Sequence, residues 1–118
     1  MENKNIRKNK KQPNIPILYS KTSSKNKEKP YKVYKTESSN GKVYVGESKT
    51  VRTRIRNHCN GSGSQATKKY TPVKATVLAN FDTRKEAKAF EKKVTNKEKI
   101  KRGKNNVRGA GHTSTINY

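Results

Sequence analysis

The chain has 118 residues, 30 of them Lys or Arg and 8 Asp or Glu, for a formal net charge of +22 with only 27% apolar residues. No apolar run approaches the roughly 20 residues of a membrane-spanning helix, no apolar signal-peptide core follows Met1, and the single cysteine, Cys59, excludes an intramolecular disulfide or a zinc knuckle. We expect a soluble, intracellular protein of cytoplasm or nucleus that attracts polyanions, since neutralising phosphates and releasing their counterions is the sequence-independent source of nucleic-acid affinity.

The first segment, Met1 to Pro30, holds nine Lys/Arg, two Glu and three of the four prolines, with almost no periodic apolar residues. Such a stretch buries too little surface to offset its ordering entropy, so a flexible basic arm is expected. Its one apolar cluster, Ile15, Ile17, Leu18 and Tyr19, is interrupted by Pro16 and reads as extended linker, with docking on the domain as the other option. Residues 31–118 then form a single domain.

From Tyr31 the pattern alternates, Ser38-Ser39-Asn40-Gly41 supplies turn chemistry, and Lys42 to Gly46 alternates again, which predicts a β-hairpin. Parity makes a sharper prediction. A two-residue turn at Asn40-Gly41 would put Tyr34 and Tyr44 on opposite faces, whereas a three-residue loop with Gly41 left-handed pairs Ser38 with Lys42 and puts both on one face. If the tyrosines share a site, that longer loop or a compensating bulge is required, and Val33, Val43 and Val45 then point together into the core.

Ser48 or Thr50 can cap a helix running to about Cys59, with Val51, Ile55 and Cys59 as a narrow apolar stripe. Arg54 and His58 stand four residues apart along one side of it. Adjacent residues on a helix point about 100° apart, so His58 and Cys59 do not make a catalytic pair, and Cys59 reads as a plain buried or half-buried thiol. After the Gly/Ser-rich stretch Asn60 to Gln65 and Lys68-Lys69-Tyr70, Pro72 precedes a third strand over Val73 to Ala79. Thr83 with Glu86 resembles a capping box for a helix through about Thr95, with Ala87, Phe90 and Val94 as its stripe and Glu91 at the stripe's edge. Past Ile100 the spacing decays into a loop or irregular tail, packed back through Val107 and Ile116. These pieces give a small α/β (α+β) domain: a three-stranded antiparallel sheet flanked by helices.

Lys32-Val33-Tyr34, Tyr44-Val45-Gly46 ten residues on, Arg54 and His58 one turn apart, and Glu91 on a later amphipathic segment together resemble the GIY-YIG nuclease family. The resemblance covers Tyr31 to Glu98. It implies hydrolysis of phosphodiester bonds, with Tyr34 nearest the attacking water, Tyr44 or His58 relaying the proton, Arg54 on the scissile phosphate, and Glu91 holding one Mg²⁺ or Mn²⁺. By the same likeness Gly46 lets the backbone turn as its strand ends. A free tyrosine, with a pKa of about 10, is a poor base at neutral pH, so Arg54 would have to favour the phenolate. The chain departs from the family pattern at Lys32, where the first motif has glycine, and at Val45, where the second has isoleucine. A supporting asparagine of the family would fall at Asn105 or Asn106.

Among the carboxylates, Glu86 and Asp82 read as capping residues and Glu47 as lying at the wrong strand end for the metal. Lys42, Arg52, Arg56, Lys68 and Lys69 are the candidate nucleic-acid contacts, to DNA phosphates more than to bases. No nucleotide cofactor and no membrane partner is expected, and the oligomeric state is open. The Lys/Asn bias suggests an AT-rich genome such as that of a phage, virus or mobile element. A stand-alone DNA endonuclease is the leading reading. The alternatives are a non-catalytic basic nucleic-acid-binding protein and an inactive GIY-YIG scaffold that binds a protein partner.

Overall fold

The alternating residues after Pro30 form strand β2 (Tyr31–Ser38), and β3 (Val43–Ser48) returns antiparallel beside it, in a computed structural model that describes residues 15–20, 29–112 and 114–118. Glu37 pairs with Val43 and Tyr34 with Gly46. The Ser38 N–H donates to the Lys42 carbonyl at 2.9 Å and the Gly41 N–H to the Ser38 carbonyl at 3.1 Å, with Gly41 at φ +86°. This is the three-residue loop, whose last position needs the left-handed backbone that glycine adopts without steric cost. Tyr34 and Tyr44 consequently share a face. Val33, Val43 and Val45 occupy the other, all fully buried.

The expected three-stranded antiparallel sheet is the centre of a larger, mixed one. Strands β1 (Ile17–Tyr19), β4 (Pro72–Phe81) and β5 (Val107–Gly109) complete five strands in the order β1-β4-β2-β3-β5. The two edge strands run parallel to their neighbours, β1 on β4 and β5 on β3. Three-residue strands are too short to show alternation in a sequence, and their pairing is supplied by the edges they cover. Part of the expected arm is therefore ordered: Ile17 and Tyr19 pack against the core, while residues 1–14 and 21–28 lie outside the described residues.

Helices cover both faces. Helix α1 (Val51–Cys59) lays Val51, Ile55 and Cys59 on the tyrosine face against Ala75 and Val77. Thr50 stands at its N-cap, but no side chain caps it; Ser48 Oγ instead accepts the Thr50 N–H at 2.9 Å. The five-residue helix α2 (Gln65–Lys69) follows, capped by Ser64. On the valine face lies α3 (Arg84–Arg102), opened by the Thr83/Glu86 capping box and packing Ala87, Phe90 and Val94 onto Val33, Val43, Val45 and Val107.

Helix α3 runs about two turns past its expected end near Thr95, because its last stretch is held by charge where the apolar stripe stops. Glu98 accepts from Lys35 at 3.2 Å and from Arg102 at 2.6 Å, and cations in the last turn suit the helix dipole. The tail packs back through Val107 as expected but not through Ile116, which is 76% exposed. Tyr118 takes that role, donating its hydroxyl to the Val43 carbonyl at 2.9 Å. Arg108, buried beside it, gives its guanidinium N–H groups to the carbonyls of Lys104, Val107, Ser114 and Ile116. Among the described residues no helix is long and apolar enough to cross a membrane.

Candidate active site

The hairpin parity brings Tyr34 of β2 beside Tyr44 of β3, and α1 packs over both because its apolar stripe faces the same side of the sheet. Tyr34 is 1% exposed and its hydroxyl meets His58 Nε2 at 2.7 Å. The edge of Tyr44 closes on the same imidazole, with ring centroids 5.1 Å apart. Gly46 sits directly across from Tyr34, and a Cβ there would lie 2.5 Å from the tyrosine oxygen. Its requirement for glycine is room for that ring. The backbone turn expected of Gly46 is not what the strand displays.

His58 is fully buried, and what holds it was not legible in the sequence. Its Nδ1 faces Thr67 Oγ1 at 2.9 Å, and the Thr67 hydroxyl donates to the Ser64 carbonyl at 3.1 Å. That leaves an oxygen lone pair for Nδ1–H, which favours the tautomer in which Nε2 accepts from the Tyr34 hydroxyl; the Ser64 N–H points at Nδ1 as a donor and favours the other tautomer, but at 3.4 Å it is the longest contact of the set. Helix α2 is too short to show a period, and the one cue to it is the Ser64-x-x-Thr67 capping spacing. Gly63 packs against the imidazole so closely that a Cβ there would overlap it.

A pocket of about 560 Å³ opens at this end of the sheet, lined by Tyr34, Tyr44, Arg54 and Glu91 among others. Arg54 is exposed, and its charge draws the pKa of both tyrosines down, but burial acts more strongly and both end above the ordinary phenol range. The expectation that Arg54 yields a standing phenolate is thus corrected by desolvation. Burial, with Arg54 second, lowers His58 to about 4, so the imidazole is neutral at physiological pH. Burial raises the Cys59 thiol, which packs with Ile55 and Val51 as inert core.

Glu91 on α3 is 4% exposed. Its Oε2 accepts the Ala110 N–H at 3.1 Å, while Oε1 has no hydrogen-bond partner and stands 3.7 Å from the Lys88 ammonium. Glu47 was expected at the wrong end of its strand, yet it lines this same pocket. Its side chain is 5% exposed and lies 3.4 Å from both Lys88 and Arg84. Strand parity carried the missing signal: an odd-numbered residue on β3 points toward α3, where Lys88 waits. Among the described residues no three His, Cys, Asp or Glu side chains gather as a metal cluster.

The five basic candidates divide. Arg52 and Arg56 are exposed on α1, and Lys68 and Lys69 on α2, Lys69 also reaching the Thr115 carbonyl at 3.3 Å. Lys42 lies at the hairpin end, away from the pocket lining, where it donates to Asn106 Oδ1 at 2.8 Å and to the Asn105 carbonyl at 3.3 Å. Asn106, a candidate for the supporting asparagine, also donates to the Arg102 carbonyl at 2.6 Å, so both residues tie the tail to the sheet.

A family model described as the GIY-YIG catalytic domain matches residues 30–105. Comparison with curated proteins and with solved structures returned no match. Because the matched stretch spans well over half of the sequence and takes in every strand and helix that lines the pocket, the chain belongs to the GIY-YIG nuclease family.

Proposed function

We propose that this chain is a metal-dependent DNA endonuclease. The observation that carries the reading is Glu91, a buried carboxylate in one pocket with two tyrosines and an arginine, with one oxygen bonded to a backbone N–H and the other without a hydrogen-bond partner. A buried anionic oxygen without a hydrogen bond is costly, and the Lys88 ammonium at 3.7 Å offsets that only in part. A hard divalent cation, Mg²⁺ or Mn²⁺, fits it, since such ions bind through one or two carboxylates and keep several waters. When bound there, the ion would polarise a phosphoryl oxygen and stabilise the leaving oxygen.

The chain's own residues supply the rest. Arg54 offers a planar fork of donors to the scissile phosphate beside both tyrosines. Tyr34, kept protonated by burial, gives its O–H to neutral His58 and presents its oxygen lone pairs to the attacking water. As the water oxygen bonds to phosphorus, the water's proton passes to Tyr34 and Tyr34's proton to His58 Nε2. No free phenolate forms. The bond from phosphorus to the leaving sugar oxygen breaks, and that oxygen takes a proton from solvent. Thr67 holds the ring so that Nε2 faces the phenol. Tyr44 packs against the same imidazole in a tilted, edge-on contact. Arg52, Arg56, Lys68, Lys69 and the basic segment Met1 to Pro30 attract the DNA backbone, with Lys42 contributing at the far end.

The test is supercoiled plasmid incubated with wild-type protein or Glu91→Ala, in Mg²⁺, Mn²⁺ or EDTA. Nicking or linearisation that needs both metal and Glu91 is expected. Plasmid retarded but uncut by both proteins would replace this reading with the non-catalytic binding one.

A further inference from the structure

Next to the catalytic pocket runs a second groove of about 650 Å³, and the two share Lys49 and Thr50 in the turn between β3 and α1. Tyr19 of β1 and Pro30 form one wall, Lys32 of β2 stands between, and Arg52 in the first turn of α1 forms the other. Its charge differs in kind from that of the catalytic pocket. Glu47 and Glu91 lie in the pocket, whereas the described lining of the groove carries Lys32, Lys49 and Arg52 and no carboxylate.

Lys32 stands two residues before Tyr34 and so on the same face of β2, about 7 Å along the strand. Only 8% exposed, it is anchored by a bond from Nζ to the Lys29 carbonyl at 3.2 Å. Tyr19, in the opposite wall, precedes the stretch that matches the family, which begins at residue 30. The aromatic ring of that wall therefore comes from before the family-matching stretch, and Pro30 is the first residue of it.

A positive channel with an aromatic ring in its wall is the arrangement that takes single-stranded nucleic acid, phosphates on the cations and a base on the ring. A groove of this size is of the order that takes small-molecule-sized groups, enough for nucleotides of one strand. We propose that it holds the unpaired DNA strand flanking the scissile phosphate, with Lys32, Lys49 and Arg52 on its phosphates and Tyr19 against a base. The substrate is then DNA with a single-stranded flank, such as an overhang, flap or branch. This rests on the nuclease reading of the neighbouring pocket.

The experiment is fluorescence anisotropy in EDTA, with full-length protein and a labelled duplex either blunt or carrying an oligo-dT extension, alongside cleavage of both in Mg²⁺. The extended duplex should bind about tenfold more tightly than the blunt one, within the range of a stacked base. Tyr19→Ala should erase most of that preference while changing blunt-duplex affinity by less than about threefold; Arg52→Ala, which also removes a general backbone contact, should weaken both substrates but the extended duplex several-fold more, so that the preference shrinks. Tyr19 also packs on the core, so Arg52→Ala, on the exposed face of α1, decides the matter if Tyr19→Ala does not fold. Equal affinity of the wild type for both duplexes would overturn the proposal, as would variants that weaken both alike. If the wild type cuts neither substrate yet keeps the preference, the groove stands and the nuclease reading falls.

Discussion

The two faces of the sheet are built from opposite materials. Against α3 it presents valines, Val33, Val43 and Val45, which with Ala87 and Val107 form a fully buried apolar cluster. Against α1 it presents Tyr34 and Thr36 beside Ala75 and Val77, and the chain buries the polar His58 and Thr67 there along with Val51 and Ile55. An apolar cluster tolerates any well-packed set of side chains, whereas buried polar groups each need a partner in a fixed place. The valine face stabilises the domain, and the tyrosine face spends part of that stability on a positioned Tyr34–His58–Thr67 chain. Glu91 reaches the pocket from the other side, at the edge of α3.

The comparison breaks most visibly at Glu91. Glu91→Ala should lower metal-dependent cleavage by about 10³-fold, of the order expected when a group stabilising transition-state charge is lost, with DNA affinity nearly unchanged. Measuring both on one preparation separates chemistry from binding.

A pH titration of stability comes next. His58 is lowered to about 4 from an ordinary value near 6.5, so the unfolded chain takes up this proton first as pH falls. The stability associated with neutral His58 is fully present above about pH 6.5 and is lost progressively as pH drops toward 4, by about 3 kcal/mol in all. His58→Asn should flatten that dependence in denaturant melts from pH 7.5 to 4. A wild-type curve already flat over this window would contradict the buried neutral imidazole.

Val43→Ala should cost about 2 kcal/mol of stability, read from the urea midpoint, while leaving the cleavage rate constant of the folded protein within about twofold. Thr67→Val is the smallest and most diagnostic change. It should cut the rate about tenfold and lower stability by the roughly 1–3 kcal/mol that an unpaired buried polar group costs, and Thr67→Ser should restore both, because the hydroxyl and not the methyl group meets Nδ1.

The same contrast explains what could be read before the structure. The valine face and the hairpin were legible because strand period and turn chemistry act locally: parity required the three-residue loop or a compensating bulge once both tyrosines were assigned to one site, and the loop is what the hairpin uses. Ala87, Phe90 and Val94 were legible as a stripe. Strands β1 and β5 were not, since three residues carry no period and their pairing is written in the edges of β4 and β3. Helix α3 outran its expected end because Glu98 is held by Lys35, 63 positions away in the chain. At the site, Tyr34, Tyr44, Arg54 and Glu91 come together in one pocket, whereas Lys42 turned toward the tail. Thr67 and Glu47 were missed because each acts through a partner on another element.

The most direct measurement is single-turnover cleavage of plasmid in Mg²⁺, paired with urea midpoints, for wild type, Glu91→Ala and Val43→Ala. The division between faces predicts that Glu91→Ala loses the rate and keeps most of its midpoint, while Val43→Ala loses midpoint and keeps the rate. Cleavage by Glu91→Ala at the wild-type rate would contradict it.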